Sequence, residues 1–289
     1  MRSRATALSL SSTRAIAFAT LLAVMSGPAW CQTVAMITDL TGQASVESGT
    51  LRAVSILAEL ETGTRLRLEP GARVVMLYLK SGDEYGFTGP ARVEMEEAAP
   101  RVLSGATAHK RASPLAGSVT INPGGVRQAA YVMRGGAGSS IRLLGLVATR
   151  IVDTDPEFRW QPIEGVAKYR VELTDGSGNV VVQHETDGST YRLPESVTLQ
   201  EGGTYTWEVS ARGHDGRRHI GTGDFTVAAA AIRQKVKALQ PSPDAPLSDR
   251  VAFAAWLEQQ ALRDEARKYW RGVAIERPGD ARLRALAGQ

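Results

Sequence analysis

The 289-residue sequence contains a single cysteine, Cys31, and only 6% aromatic residues. One cysteine excludes a disulfide framework and any metal site built from several thiolates. Catalytic motifs are also missing: the chain has no Gly-x-Ser-x-Gly elbow, no His-Glu-x-x-His pair and no cysteine after residue 31. We therefore expect a protein that is not an enzyme, with no catalytic, metal-binding or cofactor-binding residues and no cofactor.

Long apolar runs are scarce, and the one near the N-terminus belongs to a segment with the pattern of a signal peptide. Ala15–Met25 is an uncharged run of eleven residues, whereas a membrane-spanning helix needs about 20. No acidic residue precedes it, and three arginines do: Arg2, Arg4 and Arg14. Small residues at Ala29 and Cys31 precede a cleavage site ahead of Gln32. Residues 1–31 therefore predict export to the periplasm, with no stable membrane insertion after cleavage.

Lipidation of Cys31 is the alternative fate of this leader. A lipidated cysteine follows a small residue, and here Trp30 stands before it. The sequence therefore favours cleavage over a lipoprotein anchor.

Charge is almost balanced once the leader is removed. Without its three arginines the net charge falls from +4 to +1, which gives no basis for nucleic-acid binding, so no nucleic-acid partner is expected. The nets by segment are +3 for residues 32–152, −6 for 153–228 and +4 for 229–289. The acidic middle segment either helps the domains to pack on one another or is ordinary solvated surface.

The first mature segment, residues 32–152, has the pattern of an all-β domain. From Thr33 to Glu97 short apolar runs alternate with glycine-centred turns. Both faces of Val74–Leu79 are apolar, which indicates a central strand covered on each side. Further strands are predicted at 118–122, 126–133 and 139–146. The glycine-rich stretch between them, Gly135–Gly138, lacks the Lys-Ser/Thr pair of a phosphate loop, so we interpret it as a hairpin.

The order of these segments over residues 33–105 resembles the FecR domain of exported bacterial proteins. The matching segments are Asp39-Leu40-Thr41-Gly42, Ala44-Ser45-Val46, Leu60 and Gly63, Glu69-Pro70-Gly71-Ala72, Val74–Leu79, Ser81-Gly82-Asp83 and Gly89-Pro90-Ala91-Arg92-Val93. In that family the domain lies outside the cytoplasmic membrane, behind a cytoplasmic segment and a transmembrane helix. The resemblance implies a role in FecR-type cell-surface signalling as an alternative function. A direct sigma-factor role is not expected, since this sequence shows neither of those preceding parts.

Residues 153–228 have strand signals about every eight to twelve residues, the spacing of a β-sandwich. The stretches Phe158–Leu173 and Leu199–Ala211 resemble a fibronectin type III or related immunoglobulin-like domain. Five large side chains are expected to fill the space between its sheets: Trp160, Tyr169, Leu173, Tyr205 and Trp207.

Residues 229–289 are predicted to form a linker and helices. A helix over 228–238 and a proline-rich linker at 240–246 precede a helix that Ser248 or Asp249 caps and that ends near Leu262. A second helix spans Arg263–Glu276, and a short one spans 282–287. Residues 247–280 resemble one tetratricopeptide repeat.

The apolar faces of these two helices predict a partner-binding groove that includes Trp256, Tyr269 and Trp270. One helix pair cannot bury its apolar face alone. The sequence leaves three covers open: the short helix at 282–287, the sandwich, or a partner protein.

The fold class predicted is mainly β: a FecR-like β domain, a fibronectin type III-like sandwich and a short C-terminal α-helical hairpin. The function predicted is that of a non-enzymatic periplasmic scaffold or binding protein, whose partners are an envelope protein or peptidoglycan.

Overall fold

The computed structural model describes residues 32–48, 50–105, 107–117 and 139–288. The predicted leader, the predicted strands at 118–122 and 126–133 and the predicted hairpin at Gly135–Gly138 lie outside the described residues. The described chain is mainly β-sheet, with helices at its C-terminal end.

The first β domain consists of two antiparallel five-stranded sheets. Its strands are β1 (Thr33–Thr41), β2 (Ala44–Ser48), β3 (Thr50–Ala53), β4 (Glu59–Glu61), β5 (Arg65–Leu68), β6 (Arg73–Tyr78), β7 (Asp83–Thr88), β8 (Ala91–Met95), β9 (Pro100–Ser104) and β10 (His109–Ala112). The first sheet has the strand order β10-β7-β6-β1-β4, and the second has the order β3-β2-β5-β8-β9.

Strand β6 has apolar side chains on both faces, and the structure covers both. Val74, Met76 and Tyr78 point into the core between the two sheets. Leu77 points the other way, into a separate core that the first sheet shares with the C-terminal helices. The prediction that Val74–Leu79 is covered on each side is therefore confirmed.

The second β domain is a sandwich. Its strands are β11 (Ser139–Ser140), β12 (Thr149–Ile151), β13 (Glu157–Arg159), β14 (Tyr169–Asp175), β15 (Val180–Thr186), β16 (Thr190–Arg192), β17 (Thr204–Arg212) and β18 (Arg218–Val227). One sheet has the order β11-β18-β17-β14-β15, with β12 also pairing with β18, and the other consists of β13 and β16. The five predicted core side chains are all buried.

Residues 139–152 belong to the sandwich, which corrects their predicted place in the first domain. Strands β11 and β12 both pair in parallel with β18. Between them, Leu143 forms a bridge with Trp160, and Trp207 Nε1 donates a hydrogen bond of 2.8 Å to the Leu146 carbonyl. The apolar pattern of this segment identified a strand but not its partner sheet.

The crossing of this segment over β18 requires a glycine at residue 223. A Cβ there would lie 2.8 Å from the Leu146 carbonyl oxygen and 2.8 Å from Trp207 Nε1. We expect Gly223→Ala to lower the free energy of unfolding by about 2 kcal/mol in urea denaturation, because the added carbon forces the two segments apart. Gly176→Ala is the matched control, since its nearest neighbour would be 3.5 Å away. Equal losses in the two variants would contradict the close approach.

The C-terminal segment forms four helices: α1 (Ala230–Leu239), α2 (Leu247–Gln259), α3 (Arg263–Glu276) and α4 (Ala281–Ala287). The N-cap of α2 is Pro246, without a side-chain cap, so the predicted capping role of Ser248 or Asp249 is wrong. Both residues lie in the first turn, where their side chains make other contacts. Helix α4 is capped by Asp280, whose side chain accepts hydrogen bonds from the Arg282 and Leu283 amides.

Candidate functional site

The predicted partner groove on α2 and α3 is filled from within the chain. Trp256 is 2% exposed and Trp270 is fully buried. Tyr269 is half-buried, with its ring edge-on to Phe253 at a centroid distance of 5.0 Å. Trp256 and Trp270 therefore line no open groove in this structure, and the partner-binding role of Trp256, Tyr269 and Trp270 stays a prediction.

Three parts of the chain cover this helical hairpin, which we define as α2 and α3. Helix α4 contributes Leu283 and Ala287 to the shared core, and α1 packs Ile232, Val236 and Leu239 against it. The first β domain contributes Met36, Leu77 and the loop residues Ile56 and Leu57. The short helix at 282–287 was predicted as a cover, whereas this sheet was not.

Arginines at the end of the helical segment reinforce the contact with the first domain. Arg277 donates to both carboxylate oxygens of Asp39, from Nε and from Nη2, at 3.0 Å each. Arg282 donates to the Leu57 carbonyl at 3.0 Å. The paired geometry between Arg277 and Asp39 fixes the orientation of α3 as well as its position.

The hairpin also contacts the sandwich, through the turn that joins α2 to α3. The Arg150 amide donates to the Ala261 carbonyl at 2.7 Å. The Asp264 carboxylate accepts a hydrogen bond of 2.8 Å from the Leu146 amide. One helical hairpin therefore makes hydrogen bonds to both β domains, and the described residues from 32 onward form one compact unit.

A buried ion cluster lies where α2 meets the first sheet; we define it as Glu84, Arg111, Ser248 and Asp249. Arg111 donates to both Asp249 oxygens, at 3.0 and 2.7 Å, and also pairs with Glu84. The Ser248 hydroxyl donates to Glu84 Oε2 at 3.2 Å. Glu84 and Asp249 are 2% and 6% exposed, so two nearly buried carboxylates depend on one arginine.

Burial dominates the electrostatics of Glu84. Loss of solvation raises its pKa, although Arg111 acts in the opposite direction, and the charge of Asp249 raises it further. Its second oxygen, Oε1, is buried without a hydrogen-bond partner among the described residues. The pKa of Arg111 is raised, chiefly by its hydrogen bond to Asp249.

A cavity of about 300 Å³ adjoins the ion cluster at the start of α2. Polar groups around it include Asp39, Arg73, Thr88, His109 and Ser248. Asp39 pairs with Arg277, and the Ser248 hydroxyl donates to Glu84. The Asp39 carboxylate and the Ser248 hydroxyl are therefore engaged in contacts within the chain.

The sandwich also carries polar side chains in its turns. In the described residues no group of three or more His, Cys, Asp or Glu side chains converges to hold a metal ion. Asp175 accepts hydrogen bonds from the Ser177 and Asn179 amides at 2.9 Å each, as in a hairpin turn.

None of the helices in the described residues combines the length and apolarity of a transmembrane segment.

The ion cluster was missed because its members lie far apart in the sequence. Arg111 and Asp249 are separated by 138 positions, so no local spacing links them. One local signal was available: Glu84 occupies a position in β7 whose side chain points to the same side as that of the paired Leu77 on β6. A charged residue at a covered strand position indicates a buried partner.

No family model matches this chain. No curated protein matches it either. Among solved structures, CopC from Methylosinus trichosporium OB3b is 19% identical and covers 31% of this chain and 95% of its own, with a TM-score of 0.25. The fibronectin type III domain of human collagen alpha-1(XX) is 19% identical over 39% of this chain and 94% of its own, with a TM-score of 0.25.

A two-domain fibronectin type III segment of chicken tenascin covers more of the chain. It is 14% identical over 69% of this chain and 87% of its own, with a TM-score of 0.23. Likenesses of this size say nothing about what the chain binds, and the sandwich architecture described above rests on the strand order itself.

Proposed function

We propose that this chain is a non-enzymatic scaffold or binding protein of the bacterial cell envelope. The observation that carries the proposal is the double role of the helical hairpin. Its apolar face packs on the first sheet and its turn hydrogen-bonds to the sandwich, so the hairpin is in direct contact with both β domains. A protein built this way presents surfaces at defined separations, which is what a scaffold requires.

The proposal includes a family resemblance for each domain and a cellular location. The segment order over residues 33–105 supports a FecR-like first domain, and the strand order of the sandwich supports a fibronectin type III-like second domain. The helix pair over 247–280 supports a tetratricopeptide-like origin for the hairpin. The arginine-rich start, apolar run and small residues of segment 1–31 support export and a periplasmic location.

The proposal is tested by locating the protein and its contacts in a Gram-negative host. We expect the full-length gene product to be recovered from the periplasmic fraction with Gln32 at its N-terminus. A photo-crosslinking residue at an exposed position, Leu51 or Ile275, is expected to give discrete adducts with an envelope protein, or the purified chain is expected to sediment with peptidoglycan. The same residue at buried Trp207 is the control for adducts formed by unfolded protein.

Two results would reject the proposal. One is an unprocessed chain confined to the cytoplasm. The other is a processed, folded chain that forms no adduct, stays in the supernatant with peptidoglycan and turns over a metabolite.

A further inference from the structure

Strand β15 is an exposed sheet edge that carries a β-bulge at its start, between Val180 and Val182, and pairs regularly from Val182 to Thr186. It lies at the end of its sheet, and no other strand of the described residues pairs with its outer side. An unpaired edge presents backbone N–H and C=O groups to any extended chain, so edges are commonly short or carry lysine or proline. β15 has seven residues, Val180–Thr186, with no lysine, arginine or proline.

The other outer strands of the described residues differ from β15. β4 has three residues, and β3 has four and includes Arg52. β9 begins at Pro100 and carries Arg101, and β10 carries Lys110. A seven-residue edge without lysine, arginine or proline thus distinguishes β15 from these four outer strands.

Glu185 is the one charged residue on β15 itself, and further acidic residues lie near it in the sequence. Residues 171–191 contain four acidic residues and no lysine or arginine: Glu172, Asp175, Glu185 and Asp187. Gln183 and Glu185 are exposed, and Gln183 donates a hydrogen bond of 2.6 Å to Glu172 on β14. The nearest opposite charge on the same face is Arg170, which lies across from Glu185.

The other face of the edge is apolar and aromatic. Val182 lies across from Leu173, and His184 lies across from Val171. The His184 ring stacks on Tyr191 with a centroid distance of 4.8 Å. Beyond the bulge, Val180 lies across from Thr174, on the face of Glu172, and is 57% exposed. An added strand would therefore meet acids on one face and apolar groups on the other.

We propose that β15 binds an extended, basic segment of a partner protein by β-strand addition. Backbone hydrogen bonds hold the segment, and alternate side chains select it. Side chains directly across two antiparallel strands have Cβ atoms about 5 Å apart, so lysine or arginine at every second position would face Glu185 and its neighbours. The residues between them would be apolar.

A second copy of the chain fits this edge less well than a basic partner. Edge-to-edge pairing of two β15 strands would bring two copies of Glu185 to one interface with no lysine or arginine on either strand, and like charges directly opposite are destabilising. The inference rests on the proposed scaffold function and specifies the class of partner.

The test uses the purified, processed chain and a fluorescent peptide that alternates lysine and valine. Binding is measured by anisotropy, and the bound region is found by amide hydrogen exchange. We expect protection of the amides of Val180–Thr186, and no binding of the same peptide with glutamate in place of lysine or with a central proline. Glu185→Lys should weaken binding about tenfold.

Asp224→Lys is the matched control. Asp224 is exposed on β18, three strands away in the same sheet, which is roughly 14 Å. We expect it to change the affinity less than about twofold. If Glu185→Lys loses the circular dichroism of the wild type, Gln183→Lys replaces it, with the same expected direction.

Three results would overturn the inference. They are equal weakening by the β15 and Asp224 variants, protection outside β15, and no binding of the lysine peptide. A peptide-free dimer that protects β15 would also overturn it, since a second copy would then occupy the edge. Envelope adducts from Leu51 or Ile275 together with a free β15 would reject this inference alone and leave the scaffold function standing.

Discussion

Trp270→Ala is expected to lower the free energy of unfolding by about 3 to 5 kcal/mol, the range for truncating a buried tryptophan. Trp270 is fully buried in the core formed by α2, α3, α4 and the first sheet. Its Nε1 also donates to Glu258 at 3.3 Å, and burial raises the pKa of that carboxyl. Truncation therefore leaves a cavity and a partly buried carboxyl without its donor. Urea denaturation followed by circular dichroism measures the loss.

Ile275→Ala is the control on the same helix. Ile275 is 75% exposed, and alanine is the better helix former, so its stability should stay within about 0.5 kcal/mol of the wild type. A Trp270→Ala protein as stable as Ile275→Ala would contradict the buried position. Because the tryptophan variants are expected to lose stability, loss of a partner in such a variant would not show that the tryptophan binds it.

The element types followed from local patterns. Glycine-centred turns between short apolar runs located several strands in each β domain, because turn chemistry and strand alternation act over a few residues. Helix α3 was predicted from Arg263 to Glu276, and its buried residues Ala266, Trp270 and Val273 follow the helical spacing. The five aromatic and leucine side chains predicted for the sandwich core are also buried. Four of them lie on strands β14 and β17 at even spacing, which places them on one face of the sheet.

The partners of these elements did not follow, since pairing is set by distant parts of the chain. The two apolar faces of Val74–Leu79 showed that a second cover exists, but nothing near residue 74 specifies a helix at residue 247. The predicted strand at 139–146 was likewise assigned to the first domain, whereas its strand residues Ser139–Ser140 pair with β18 of the sandwich. In both cases the local pattern predicted that an apolar face is buried, whereas the element that covers it is set by the tertiary structure.

The ion cluster extends this point to charge. Ser248 and Asp249 fit the composition of a helix N-terminus, where such side chains often cap. The buried Glu84 and the fork of Arg111 bind these same side chains, which lie in the first turn of the helix. A capping prediction from composition cannot include an arginine located 138 positions away.

The same cluster gives the second large effect, in the variant Arg111→Met. Removing the arginine leaves Glu84 and Asp249 buried without their cation, and breaking a buried ion pair on one side costs about 3 to 5 kcal/mol. The Arg111 side chain is 36% exposed, so water reaches part of the site and we expect a smaller loss, about 2 to 3 kcal/mol at pH 7. Arg92→Met, at the exposed pair with Glu47, should change stability far less.

The pH dependence separates this effect from lost packing. The pKa of Glu84 is raised above the ordinary 4.5 in the native protein, so the native state keeps a proton that the unfolded chain has released. The free energy of unfolding therefore falls as pH rises from about 4.5 through the raised native value. Without Arg111 that pKa rises further, and the loss in Arg111→Met should be smaller at pH 5 than at pH 7. The double variant Arg111→Met, Glu84→Gln should recover part of the stability at pH 7 and flatten this dependence, whereas an equal loss at both pH values would show that Arg111 acts only through its packing.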